Sequence, residues 1–265
     1  MKKSALIIVV IVILALVSGI VLSVKLLTKQ KVVNNNDSAA VDLPVNTIPV
    51  SERPFITLTP DTSGRNLTLA VSGAPKEGSM EYEMVYQATD KQEGALGTLT
   101  LDSEVQPIEK TILLGSRSAG GATTYHEGVT GGSFTVTYQE TRLKEQWNFL
   151  RFDPSDPVLT SPDARFSVMF DKLALKADTV VVTMKTFGLP IAIPAGNLVA
   201  GPYAFFTGLD PKGDATIEIK LPAGEHQEPT IYEWSGEDWT ALKTALDGDS
   251  VTASATGNVF VVTAK

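Results

Sequence analysis

From Phe55 to the C-terminus, apolar residues recur at every second position, and no long stretch keeps the 3.6-residue period of a helix. This restricts that part of the chain to antiparallel sheets with one face in a core and the other in water. Leu67, Leu69 and Val71 alternate with Thr68 and Ala70, and Met80, Tyr82, Met84 and Tyr86 form one face opposite Glu81, Glu83 and Gln87. Further strands are predicted at Phe55–Thr59, around Leu99 and Leu101, from Ile108 to Leu114, from Phe134 to Tyr138, and through Trp147 and Phe149. Gly, Pro, Asp and Ser separate these segments at spacings near ten residues, which gives about seven strands, the pattern of a β-sandwich.

A second series begins after the proline-punctuated stretch 153–163, whose prolines stiffen it as a connection. Phe166, Val168 and Phe170 alternate, and Thr179–Met184 is a β-branched run suited to a central strand. Ile191–Pro194, Tyr203–Phe206 and the series Ile217, Ile219, Leu221 follow. The tail holds an aromatic strand with Tyr232 and Trp234, a Ser235-Gly236 turn, a strand led by Trp239, and last strands at Val251–Ala253 and Val259–Val262.

Ahead of all this, Ala5–Val24 is an unbroken apolar run of about 20 residues, flanked by Lys2 and Lys3 on one side and by Lys25, Lys29 and Lys31 on the other. At 1.5 Å per residue it spans about 30 Å, the thickness of a bilayer core. It is longer than the apolar region of a cleavable signal peptide, and a retained anchor is expected. The flanking charges are nearly balanced, so the positive-inside rule leaves orientation open. The surface-like body favours an N-terminus inside and a C-terminal body outside. Residues 28–53 are polar, with an Asn triplet and two prolines and no aromatics, and read as a flexible stalk.

The expected fold class is therefore all-β, with two tandem immunoglobulin-like β-sandwich domains behind an N-terminal transmembrane helix. The divisions are 1–27 for the cytoplasmic tip and helix, 28–53 for the stalk, 54–152 for the first sandwich, 153–163 for a linker and 164–265 for the second sandwich. In strand number and spacing the first sandwich resembles the immunoglobulin-like and fibronectin-type modules of bacterial surface proteins. The second, from Leu189–Gly196 through the Tyr232/Trp234/Trp239 tail, resembles ZU5-type modules. These resemblances imply a surface-displayed sandwich and carry over no functional residue.

Charge and composition narrow the function. Residues 54–265 hold 16 Lys and Arg against 27 Asp and Glu, a net of −11 that disfavours nucleic acid. Without cysteine there is no disulfide, thiolate zinc site or cysteine nucleophile. The two histidines, His126 and His226, lie in polar loops with no second histidine at ligand spacing. Neither a Gly-x-Ser-x-Gly elbow nor a phosphate-binding glycine loop occurs. No cofactor and no catalysis are expected. Acidic loop pairs Asp153/Asp156, Asp210/Asp214 and Asp247/Asp249 are the calcium candidates, because calcium takes hard oxygens from loops.

For a ligand, the candidates are Tyr125 and His126 in the glycine-rich segment 115–128, and the rings of Tyr232, Trp234 and Trp239, which at strand spacing serve a core unless exposed. The expected partners are the lipid bilayer through residues 5–24, and a cell-wall polymer or a protein. The function expected is that of a membrane-anchored surface protein of interaction or structural type. The alternative is a carbohydrate-binding or accessory module of an envelope enzyme. A hydrolase would need a carboxylate pair in a cleft.

Overall fold

Most of the alternating segments are strands in the computed structural model of the chain, which describes residues 43–171 and 174–265. The apolar run 5–24 and the stalk up to residue 42 lie outside the described residues. Among the described residues, no helix is long and apolar enough to cross a membrane. The fold is all-β.

In chain order the first half holds β1 (Phe55–Pro60), β2 (Asn66–Ser72), β3 (Glu77–Gln87), β4 (Gln92–Asp102) and β5 (Ile108–Leu113). It continues with a small hairpin, β6 (Gly115–Arg117) and β7 (Thr123–Tyr125), then β8 (Gly131–Tyr138) and β9 (Thr141–Arg151). The second half holds β10 (Val158–Thr160), β11 (Phe166–Phe170), β12 (Val180–Lys185), β13 (Asn197–Thr207) and β14 (Ala215–Lys220). It closes with β15 (Thr230–Trp234), β16 (Trp239–Ala241), β17 (Ala245–Asp247), β18 (Ser250–Ala255) and β19 (Val259–Ala264). The segment Ile191–Pro194, expected to be a strand, is a loop. Pro190 and Pro194 remove the backbone donors that a ladder needs.

Three sheets stack. The middle one has nine strands in the order β16-β15-β19-β13-β12-β9-β8-β3-β4. A three-stranded sheet, β1-β2-β5, and a five-stranded sheet, β10-β11-β14-β18-β17, supply the other layers. The first core sits between the three-stranded and nine-stranded sheets, and joins Ile56, Leu58, Leu67 and Leu69 to Met84, Phe134 and Trp147. The second core sits between the nine-stranded and five-stranded sheets, where Phe166, Val168, Ile217 and Ile219 meet Phe205 and Phe260.

Strands β12, β13 and β19 serve both cores. Val180, Val182 and Met184 enter the first core while Val181 enters the second. Ala204 and Phe206 alternate with Tyr203 and Phe205 in the same way, as do Val259 and Val261 with Phe260 and Val262. This is why these strands read as continuous apolar runs: neither face is wet. Strand β13 follows the twist of the sheet through register shifts either side of Ala200. Gly201 makes this possible with a φ of 95°, and a Cβ there would sit 2.7 Å from the Phe260 carbonyl oxygen.

The stretch 153–163 separates the two cores but not the sheets. Strand β9, which precedes it, pairs antiparallel with β12, which follows it, from Arg151↔Val180 to Trp147↔Met184. Residues 43–265 accordingly form one compact unit. Burial of Val180, Val182, Met184 and Phe206 in the first core contributes about 2 kcal/mol each. Their sum is comparable with the whole net stability of a domain. A chain ending at Phe152 should therefore show no cooperative unfolding transition by circular dichroism in urea. A sharp transition at a midpoint close to that of the whole chain would mean that the first half folds alone.

Candidate functional site

The three-stranded sheet covers only part of the face it packs on. Between its outer strand β1 and the distant strand β15 lies an open groove of about 640 Å³. Phe206 and Val259 line it where they emerge from the first core. Phe55, Thr57 and Thr59 form one wall, because the register that sends Ile56 and Leu58 into the core turns these three the other way. Glu233, Trp234 and Ser235 form the opposite wall. Asp210 and Asn258 stand exposed at the ends.

Trp234 and Trp239 are cross-strand partners with ring centroids 5.5 Å apart at 62°. Their fates differ. Trp239 is 6% exposed, and its Nε1–H donates to the Ile191 carbonyl at 3.3 Å, pinning the proline loop to the core. Trp234 is half-buried and lines the groove, while Tyr232 is half-buried against the first core. Glu233 Oε2 accepts the backbone N–H groups of Thr256 at 2.9 Å and Gly257 at 2.7 Å. That carboxylate holds the β18–β19 turn in place, which leaves Asp210 without a second free carboxylate in the groove.

The other candidates are elsewhere; neither Tyr125 nor His126 lines this groove. Tyr125 sits at the base of the β6–β7 hairpin with the Arg65 guanidinium 4.3 Å above its ring. His126 Nδ1 lies 2.8 Å from the buried Tyr86 Oη, and its Nε2 faces Glu93 Oε1 at 3.7 Å. Burial, with the charge of Glu93 added, pushes the Tyr86 phenol up to about 12. Tyr86 therefore keeps its proton, and its hydroxyl and Nδ1 share a hydrogen bond. These contacts link the segment after β7 to β3 and β4.

The six calcium candidates, Asp153, Asp156, Asp210, Asp214, Asp247 and Asp249, are exposed residues of turns and strand ends, and the structure gathers them into no cation cage. Asp153 and Asp156 close one tight turn through the backbone, where Asp156 N–H donates to the Asp153 carbonyl at 3.0 Å. In that turn Asp153 Oδ1 accepts Ser155 N–H and Oγ–H. Asp210 lines the groove, whereas Asp214 Oδ2 accepts Ser254 Oγ–H on β18. Asp247 and Asp249 flank Gly248 at the β17–β18 turn. Among the described residues, no group of three or more His, Cys, Asp or Glu side chains is arranged to hold a metal. At Asp153 the carboxylate supplies turn hydrogen bonds, whereas calcium takes six or more oxygens converging on one point, backbone carbonyls among them. Compared with protein-family models, with curated proteins and with solved structures, the chain has no match.

A second cavity, of about 390 Å³, lies where residues 43–53 meet the body. These residues belong to the expected stalk, yet they are fastened to β9. Asn46 N–H donates to the Arg142 carbonyl, its Nδ2–H donates to the Lys144 carbonyl at 2.8 Å, and Lys144 N–H donates back to Asn46 Oδ1 at 3.0 Å. Arg53 Nη1 approaches Glu145 at 3.5 Å, and Lys185 and Asp163 line the same cavity. Burial raises the Glu145 carboxyl above its ordinary value against the pull of Lys185 and Arg53. Asp163 is also pushed up by burial, but hydrogen bonds from Ser161, the Arg165 N–H and Tyr203, with the charge of Lys185, outweigh this and hold it low.

Sequence reasoning missed Glu145, although a signal existed: it falls on the core-facing register of Leu143, Trp147 and Phe149. A carboxylate in that position requires a cation, and Arg53 supplies it. The two carboxyls respond to pH with opposite sign. The stability contributed by Asp163 is present above its unfolded pKa and is lost as pH falls through its lowered folded value. That of Glu145 is present below its unfolded pKa and is lost as pH rises through its raised folded value. Replacing Arg53 with Met should cost about 2 kcal/mol at pH 7 and about 1 kcal/mol less at pH 4, because Arg53 favours the charged form of Glu145 and its loss matters less as that carboxyl gains a proton. Urea denaturation at the two pH values measures the difference.

Proposed function

We propose that this chain is a membrane-tethered surface protein that binds an extended, hydroxyl-bearing polymer of the cell-wall glycan type in the groove beside Trp234, without cleaving it. In this reading residues 5–24 anchor the chain with the N-terminus inside, the following polar residues form the tether, and the body from Leu43 onward is displayed outside. The two halves act as immunoglobulin-like modules, the second of the ZU5 type, joined through the nine-stranded sheet.

The observation that carries the reading is the half-buried Trp234 ring lining a groove of about 640 Å³ opposite a row of threonines. A flat indole suits the apolar face of a sugar ring, and Thr57, Thr59, Asn258 and Asp210 offer the hydroxyl, amide and carboxylate groups that hydrogen-bond its rim. A cleaving enzyme needs two free carboxyl groups flanking the bond, and in this groove Glu233 is engaged by the backbone. The acidic body favours neutral or cationic polymers over phosphate-rich ones.

Affinity electrophoresis of the full chain in detergent, against soluble cell-wall glycans, tests the site. Trp234→Ala should weaken retention by about tenfold, the worth of one aromatic contact, while Trp234→Phe retains most of it. Trp239→Ala should instead lower stability by about 3 kcal/mol. Equal retention of wild type and Trp234→Ala on every glycan would end the glycan assignment. Separately, protease added outside intact cells should digest the body. Protection of the body when the envelope is permeable would place it on the other side of the membrane.

A further inference from the structure

Strand β4 ends the nine-stranded sheet, far along the strand order from the Trp234 groove. Among the described residues it pairs with β3 alone, through eleven consecutive pairs from Glu77↔Asp102 to Gln87↔Gln92 without a bulge. Eleven residues present about 36 Å of ladder. The turn joining the two strands closes with Ala88 N–H donating to the Lys91 carbonyl. Antiparallel bonding alternates, so odd-numbered residues of β4 bond to β3. The N–H and C=O groups of Gly94, Leu96, Thr98 and Thr100 then point away from the sheet.

Sheet edges are normally blunted by proline, an inward-pointing charge, a bulge or extreme shortness. Between Gly94 and Leu101 this edge has none of these; the one inward-facing charge of β4, Glu93, lies just ahead of that run. Gly94–Leu101 contains no charge and no proline, and Leu96 is 83% exposed. Charge indicates what the edge accepts. Glu83 lies directly beside Leu96 and Glu81 beside Thr98 on the exposed face of β3, while Glu93 and Asp102 bracket the neutral run. A long cationic side chain on an added strand reaches across Thr98 or Leu96 to these carboxylates. A second copy of the chain brings a body with the same net charge of −11 and the same acidic rows.

We propose that the β4 edge takes up an extended, lysine- or arginine-bearing polypeptide as a tenth strand of the sheet. Backbone bonds to Gly94, Leu96, Thr98 and Thr100 hold it, an apolar side chain covers Leu96, and Glu81 and Glu83 select for positive charge. This interaction is separate from the glycan groove, and loss of either leaves the other intact.

The test uses the full chain in detergent with two fluorescent octapeptides, one alternating lysine with valine and the other glutamate with valine. The lysine peptide should bind at least tenfold more tightly, weaken as salt rises from 50 to 500 mM, and slow hydrogen exchange at the amides of Leu96, Thr98 and Thr100. Leu96→Pro should abolish binding, because it removes an outward N–H that β3 does not use. The double variant Glu81→Lys, Glu83→Lys should reverse the preference to the glutamate peptide, and it keeps the claim testable if the proline variant fails to fold. Equal binding of both peptides, or exchange protection confined to other strands, overturns the proposal. So does a chain dimer in sedimentation that is lost with Leu96→Pro, which would make the occupant a second copy.

Discussion

Three strands in the middle of the molecule are covered on both faces over most of their length, and the rest of the architecture answers to them. Along β12, β13 and β19 successive side chains belong to different cores, as Phe205 and Phe206 do. A strand that is apolar on both faces is stable only when another layer covers each side. The N-terminal part of the chain supplies one layer as β1-β2-β5, and the C-terminal part supplies the other as β10-β11-β14-β18-β17. Each half thus completes a core that includes strands of the shared sheet. The residues from 153 to 163 carry the chain from one layer to the next while the sheet continues beneath them.

A sheet of nine strands is wider than covers of three and five strands, and both proposed interaction surfaces arise from that mismatch. At the β15 end, β1 stops short and the side chains that emerge from the first core, Phe206 and Val259, line a groove. At the other end, β3 and β4 turn Glu81, Glu83, Leu96 and Thr98 to solvent because no third layer lies over them. Exposed features at the two ends are therefore not independent decorations of a finished core. They mark where the covering sheets end.

Period-two alternation made the strands legible. Met80 to Tyr86, Leu67 to Val71 and Phe166 to Phe170 lie where their alternation places them, and the continuous run at Val180–Met184 is explained by burial on both faces. The layer plan was not legible, because alternation says which residues share a face and nothing about which strand lies beside it. The pairing of Phe149 with Val182 joins residues on either side of a proline-rich stretch that looks like a linker. Trp234 and Trp239 show the same limit at the site. Both are strand tryptophans of similar local context, and only the position of β1 and of the proline loop decides that one faces the groove and the other the core. Ile191–Pro194 misled in the opposite sense, since its apolar content outweighed the two prolines that remove its ladder donors. At Asp153 and Asp156 closeness in sequence marks a tight turn, whose hydrogen bonds use the Asp153 carbonyl and carboxylate.

The carboxyls whose pKa values are displaced by burial and the open groove lie in different parts of the body. A hydrolytic site concentrates carboxyl groups with displaced pKa values where the substrate lies. Here Glu145 and Asp163, displaced in opposite directions, line the cavity beside the N-terminal segment, where Arg53, Asn46, Ser161 and Tyr203 engage them. Their effect is to fasten the point at which the chain enters its body. In the groove, by contrast, the one partly buried carboxylate, Glu233, is taken by backbone N–H groups of the β18–β19 turn. What the groove leaves free is an indole ring, threonine hydroxyls, an amide and a lone aspartate, and on that set the proposal of a bound glycan rests.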